Sequence, residues 1–359
     1  MAPGATAASL WLAADGWRGV VAAAGSTDPT GHQAVTPSTV YDLASVTKPI
    51  LAATIARLVR AGTLRLDTPV SALLDLGGDA PSDLTVEALL SHRAGLPAHL
   101  PLFEPLRQRR ALRRGAMLQA AASRRADCAG PLPASGFAPV YSDLGYLLLG
   151  EAAARSSGLP LDVLLAREVA APLGLAIDSM RRLLATDPGV MGDVAASEAV
   201  GFRGRLQGVV HDENAWAIAG HGAAGHAGLF GRAGDVARFG AAMLDALAGR
   251  CPSWLDPADA AVLVRERLGG TLRAGFDGVS PTGSSAGRLA SSRAFGHLGF
   301  TGTSLWCDPA AEQVVVLLSN RVCPSRDNTA IRAARPRIHD ALLERGRDLR
   351  REHAAGDAK

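Results

Sequence analysis

Apolar positions cluster at the two ends of the chain in strand-like runs and in the middle at helical spacing. Residues 9–14 and 17–25 are apolar and separated by Asp15-Gly16, which predicts an antiparallel hairpin near the start. Far away, residues 295–307 and 313–320 ("QVVVLLSN") are rich in β-branched and aromatic side chains. The turn-forming segment Asp308-Pro309-Ala310-Ala311-Glu312 divides them, and a helix over 329–344 is expected to follow. Between the ends the pattern predicts helices over 45–61, closed by Gly62, over 86–90 after Thr85, over 144–156 after Ser142, and over 161–169 after a proline. The expected class is therefore α/β (α+β), with an antiparallel sheet built from both chain ends and flanked by helices. The expected division is a sheet domain over 1–60 plus 285–350, an inserted all-α domain over 61–284, and a frayed tail over 351–359.

Composition narrows the function classes more than it names one. The 359 residues suffice for a large core, and a formal charge of +3 with 20% charged residues carries no nucleic-acid footprint. The arginine-dense stretch 107–125 is expected to be a solvated helix face. Cys128, Cys251, Cys307 and Cys323 have no metal-ligand or paired spacing and are expected to be reduced core residues. No apolar run is long enough to span a bilayer. The first residues lack a basic region followed by an apolar one, so a cytoplasmic protein is expected, or a periplasmic one if the true start lies upstream.

One residue breaks the composition. Lys48 and the terminal Lys359 are the only lysines among 37 Lys plus Arg. Arginine is always charged, whereas a buried lysine can lose its proton and act as a base. Ser45 precedes Lys48 by three positions at the expected start of a helix, which puts a hydroxyl and an amine on one face of the first turn, an S-x-x-K nucleophile pattern. Tyr141 and Asp143 lie on the turn before the helix at 144, where a phenol could share the serine proton. His297 sits in the Gly-rich run "AFGHLGFTGTSLWCDP", whose backbone could offer an N–H to an oxyanion beside that of Ser45. The polar segment "VHDENAWAIAGHGAAGH", with His211, Asp212, Glu213, His221 and His226, lacks metal-ligand spacing, so no metal is expected.

Ser45-Val46-Thr47-Lys48, Tyr141-Ser142-Asp143 and His297-Leu298-Gly299 occur in the order of the serine β-lactamase and penicillin-binding-protein superfamily. The chain resembles most its class C-related branch of esterases and D-amino-acid peptidases. "LLSHRAGLPAH", "AGHAGLFGRAGDVARF" and "GHLGFTGTSLWCDP" carry the same resemblance. It implies Ser45 as acylated nucleophile, Lys48 as base and Tyr141 as its assistant. It also implies Asp143, His297, Gly299 and Phe300 on the substrate and oxyanion side, with the Phe300 N–H as second oxyanion donor and no cofactor. Three departures bear on substrate: Asp143 for the family's Asn, Leu298 for its Thr or Ser, and His297 where many members have Lys. The last two remove a hydroxyl and a fixed cation, which favours an uncharged ester or amide over β-lactams and D-alanyl peptides. The expected function is hydrolysis of a small ester, amide or peptide through a Ser45 acyl-enzyme. Two alternatives remain: a catalytically silent scaffold relative, and a D,D-carboxypeptidase, D-aminopeptidase or β-lactamase, in which an arginine such as Arg321 would have to meet a substrate carboxylate.

Overall fold

The computed structural model describes residues 4–31, 33–78 and 80–357. Six antiparallel strands form the main sheet: β1 (Gly4–Ala13), β2 (Gly16–Gly25), β3 (Asp277–Gly278), β4 (Phe295–Leu298), β5 (Ser304–Asp308) and β6 (Gln313–Ser319). Their order is β2-β1-β6-β5-β4-β3, so the first and last strands of the sequence are hydrogen-bonded neighbours, with Ala8 opposite Val316. The expected sheet from both chain ends is what forms, and the expected hairpin turns at Ala14-Asp15, one residue earlier than expected, with Ala13 paired to Gly16.

β6 is buried along its whole length because helices cover both faces of the sheet. Val314, Val316 and Leu318 point into the larger core beneath the helix Ala233–Leu247, whereas Val315 faces Trp306 and Leu343 of the C-terminal helix. A period-two alternation thus assigns successive valines to opposite layers.

Three expectations change. Residues 295–307 are not one strand: β4 and β5 pair with each other, Leu298 opposite Ser304, around a tight turn at 299–303 where Gly302 takes φ 109°. The middle of the chain, expected to be all-α over 61–284, also carries short strands. Asp178–Ser179 and Tyr41–Asp42 flank Leu229–Gly231 in a second sheet, and β3 closes one edge of the first. Strands of two or three residues are too short to leave a periodic signal. The helix Ile331–Asp357 runs on through 351–357, and just before that stretch Arg350 donates to the carbonyl of Glu312 at 2.8 Å. Residues 358 and 359 lie outside the described residues. The arginine-dense stretch is likewise split between the helices Glu104–Arg107 and Arg114–Ala121, and the Arg124 side chain is buried against Asp83. No helix among the described residues is long and apolar enough to cross a membrane.

Candidate active site

Ser45 lies in a single 3-10 turn, Ala44–Val46, that leads directly into the helix α1, Thr47–Arg60. The residue before it, Ala44, is held at φ 47°, a conformation costly for a residue with a Cβ. Two fixed points impose it. The Ala44 N–H donates to Asp42 Oδ1 at 2.8 Å, and the hydroxyls of Thr301 and Thr303 donate to the carbonyls of Asp42 and Leu43 at 2.8 and 2.9 Å. The β4–β5 turn and the nucleophile turn are thereby fastened to each other.

Gly299 explains how closely they meet. A Cβ there would stand 1.9 Å from Thr303 Oγ1 and 2.6 Å from the carbonyl oxygen of Leu43, so no other residue fits. Its own N–H donates to Thr303 O at 2.8 Å, whereas the next N–H, that of Phe300, makes no hydrogen bond among the described residues.

Lys48 is fully buried, and its amine reaches three oxygens: Asp143 Oδ1 at 2.7 Å, Ser45 Oγ at 2.9 Å and the His226 carbonyl at 3.2 Å. Burial alone would push its proton affinity down, as the sequence suggested. The Asp143 carboxylate and the Tyr141 phenol more than offset that, and the net direction is up, so the resting amine is charged. The Tyr141 ring lies 4.8 Å from the Lys48 nitrogen, its hydroxyl is turned toward Lys48 and Ser45, and burial raises its pKa.

Tyr141 and Asp143 are delivered by the start of the helix α2, Asp143–Ser157, where Ser142 is the N-cap. The preceding turn is held by the loop 91–98. The Ser142 N–H donates to His92 Nδ1 at 3.0 Å, and the Asp143 N–H to Ala98 O at 3.0 Å. His92, itself at φ 61°, packs its ring 4.8 Å from that of Tyr141. Sequence reasoning missed His92 as a site residue although "LLSHRAGLPAH" carried the family resemblance. The signal was a histidine amid apolar residues with no partner nearby in sequence.

His297 is buried, with its ring 5.9 Å from Tyr141 and Nδ1 2.8 Å from Leu298 O. Burial, and then the charge of Lys48, lower its pKa to about 3, so it is a neutral ring and no substitute for a cation. The residues singled out in the sequence thus meet around one point. Ser45, Tyr141, Asp143, His297, Gly299 and Phe300 all line one cleft of about 380 Å³, with Lys48 beneath it. A second arm of about 290 Å³ shares Ser45, Asp143 and Phe300 with the first and continues past His211 and Arg326. Asp143, expected on the substrate side, borders both arms yet is bound to Lys48.

The larger arm holds a feature the sequence hinted at only through Arg321. Arg321, Arg332 and Arg335 line it, and none has a carboxylate within salt-bridge distance among the described residues. Arg321 donates to the carbonyls of Phe300, Arg326 and Asn328, and Arg335 to that of Thr303 at 3.2 Å, its buried Nε having no partner.

The polar segment 211–226 is absorbed pairwise. His211 meets Glu198 and His226 meets Asp212, each at 2.8 Å. Among the described residues no three His, Cys, Asp or Glu side chains gather into a metal-binding group.

A family model described as "Beta-lactamase" matches residues 2–337, and the chain belongs to that family. It is a hydrolase by kinship. It is 32% identical over 314 residues to an N-acetylmuramyl-L-alanine amidase of Bacillus subtilis (strain 168), covering 79% of this chain and 68% of that one. It is 30% identical over 315 residues to a putative D-alanyl-D-alanine carboxypeptidase of Escherichia coli (strain K12), covering 80% and 70%. Among solved structures, EstCE1, "a hydrolase with promiscuous acyltransferase activity", matches in fold with a TM-score of 0.66, 21% identity and coverage of 95% and 94%.

Proposed function

We propose that the protein cleaves an amide, peptide or ester bond through an acyl-enzyme on Ser45. One observation carries this reading: the Lys48 amine lies 2.9 Å from Ser45 Oγ in a fully buried position, with Tyr141 against both. Once the Lys48 amine has given up its resting proton to solvent, the Ser45 hydroxyl adds to the substrate carbonyl carbon as its proton passes to the neutral Lys48–Tyr141 pair, leaving a tetrahedral oxyanion. The N–H groups of Ser45, in an unpaired first turn, and of Phe300 are the donors that would stabilise it. On collapse the C–N or C–O bond breaks and the same proton goes to the leaving group. Water then attacks the acyl-enzyme, gives its proton to the pair, and releases the acid and the free serine.

On substrate charge the structure favours a different reading from the departures at 297 and 298. The unpaired arginines of the larger arm supply the cation that those positions lost, so a carboxylate-bearing amide or peptide fits better than an uncharged ester. The names of the two curated relatives, an amidase and a putative carboxypeptidase, support that direction.

The test is intact-mass measurement after incubation with a fluorophosphonate and, separately, a penicillin, on the wild type and Ser45→Ala. Adducts on the wild type alone are expected. Labelling that survives in Ser45→Ala would move the nucleophile elsewhere, and a wild type that is never labelled would leave a silent scaffold as the better description.

A further inference from the structure

We propose that Asp143 is the positioning residue of the proton-transfer pair: it fixes the direction of the Lys48 amine, and its negative charge sets the pH above which that amine can accept the Ser45 proton. This inference rests on the acyl-enzyme reading and goes beyond it, because the amide that the family carries at this position has no charge with which to do the second task.

Lys48 Nζ donates to three oxygens, with the Tyr141 hydroxyl also turned toward it. A carboxylate oxygen at 2.7 Å and a carbonyl oxygen at 3.2 Å can only accept hydrogen bonds; the Ser45 hydroxyl at 2.9 Å can accept or donate. When the amine is charged, its three N–H bonds serve all three oxygens. When it is neutral, its two remaining N–H bonds must stay on Asp143 and His226 O, since neither can donate to a lone pair. The lone pair therefore falls on the side left, toward the hydroxyls of Ser45 and Tyr141, the groups there that can donate to it. One fixed geometry serves both protonation states, so proton transfer requires no rotation of a buried side chain. Orientation needs only an acceptor at position 143, which an Asn would also provide. Charge is what Asp adds.

Other groups around the amine do not duplicate that charge. From the turn and helix that carry Asp143 come the phenols of Tyr141 and Tyr146, whose pKa values burial raises. From the loop 91–98 comes His92 and from β4 comes His297, both kept neutral by burial and by Lys48 itself. From the segment opposite come the His226 carbonyl and Asp212; the latter is already paired with the His226 ring and acts on Lys48 only through space. Among the described residues Asp143 is thus the one carboxylate in direct contact with the amine. Its side chain is 22% exposed where it borders both arms of the cleft, so a bound substrate would touch it as well.

The rate of fluorophosphonate labelling of Ser45 as a function of pH tests this without knowledge of the natural substrate. Wild type, Asp143→Asn, Asp143→Ala and Asp212→Asn are compared, with circular dichroism to establish that each is folded. The wild-type rate is expected to climb with pH. In Asp143→Asn the climb should begin lower by about 1 to 3 pH units, the range for removing an opposite charge in contact. At a fixed pH below the wild-type climb that variant then labels at least about tenfold faster. Asp143→Ala should shift the same way but reach a lower plateau, having lost the orienting acceptor too. Asp212→Asn should shift less than Asp143→Asn. Coincident profiles for wild type and Asp143→Asn would overturn the proposal, as would a larger shift in Asp212→Asn; both leave the nucleophile reading intact. A wild type unlabelled at every pH would instead remove that reading and this one with it.

Discussion

Two groups of cations face the same cleft and are treated in opposite ways. Lys48 is fully buried, and each of its three donors has an oxygen, one of them a carboxylate. Arg321, Arg332 and Arg335 border open space, and among the described residues they have backbone carbonyls and, for Arg321, the Phe300 ring as side-chain partners but no carboxylate. Arg326, next to them in sequence, is by contrast held by both Glu198 and Glu213. Uncompensated buried charge is costly, and burial together with Arg321 pushes Arg335 down to about 10. A protein able to neutralise Arg326 with two carboxylates has left its neighbours unneutralised. The difference separates two tasks: a cation closed into a network holds and passes a proton, and cations left open draw an anion.

The sharpest way to break that contrast is to put the second kind of cation in the place of the first. Lys48→Arg keeps the charge and the bond to Asp143 but cannot take a proton from Ser45. Fluorophosphonate labelling and hydrolysis are both expected to fall by about 10²–10⁴, the range for loss of a general base. Near-wild-type labelling in this variant would mean that Lys48 acts as a fixed charge only, and the two groups would no longer differ in kind.

A smaller effect tests the other half. Arg332 is exposed and its side chain makes no hydrogen bond among the described residues, so Arg332→Gln should leave the fold alone. With a substrate carrying a carboxylate, kcat/KM should fall about tenfold, one charge-assisted hydrogen bond's worth, mostly through KM. With the matching uncharged amide the rate should stay level. Equal losses on both substrates would show that the arm does not read charge.

The same contrast explains what the sequence could disclose. Ser45 and Lys48 were legible because three positions on a helix start fix their relation locally, and scarcity of lysine marked the pair. Tyr141 and Asp143 were legible as a turn before a helix, but the bond from Asp143 to Lys48 spans 95 positions and no spacing rule encodes it. The arginine arm was less visible still. Its members come from the end of β6 and the first turns of the last helix, and in a chain where nearly every cation is Arg their identity carries no signal. The sheet could be read from its two ends because each strand there is long enough to show a pattern. The split of 295–307 could not, because Gly299 is required by a contact with Leu43 and Thr303 that exists only after folding.

The smallest effect on rate at neutral pH belongs to His297, and its value lies in stability instead. Its ring is buried beside a charged Lys48, and its pKa is lowered to about 3 in the folded protein, whereas an unfolded histidine titrates near 6.5. Above about 6.5 the ring is neutral in both states and contributes no pH dependence. As pH falls from there toward 3 the unfolded chain binds a proton that the folded protein refuses, so stability declines through that window. His297→Gln keeps a neutral polar group and removes the titration. Its urea midpoint should therefore lose less than the wild type's between pH 7 and pH 4, and the difference isolates His297 from His92, whose ring is shifted the same way. Parallel declines in the two proteins would mean that position 297 accepts a proton when folded, and a second cation would then have to be counted on the Lys48 side of the cleft.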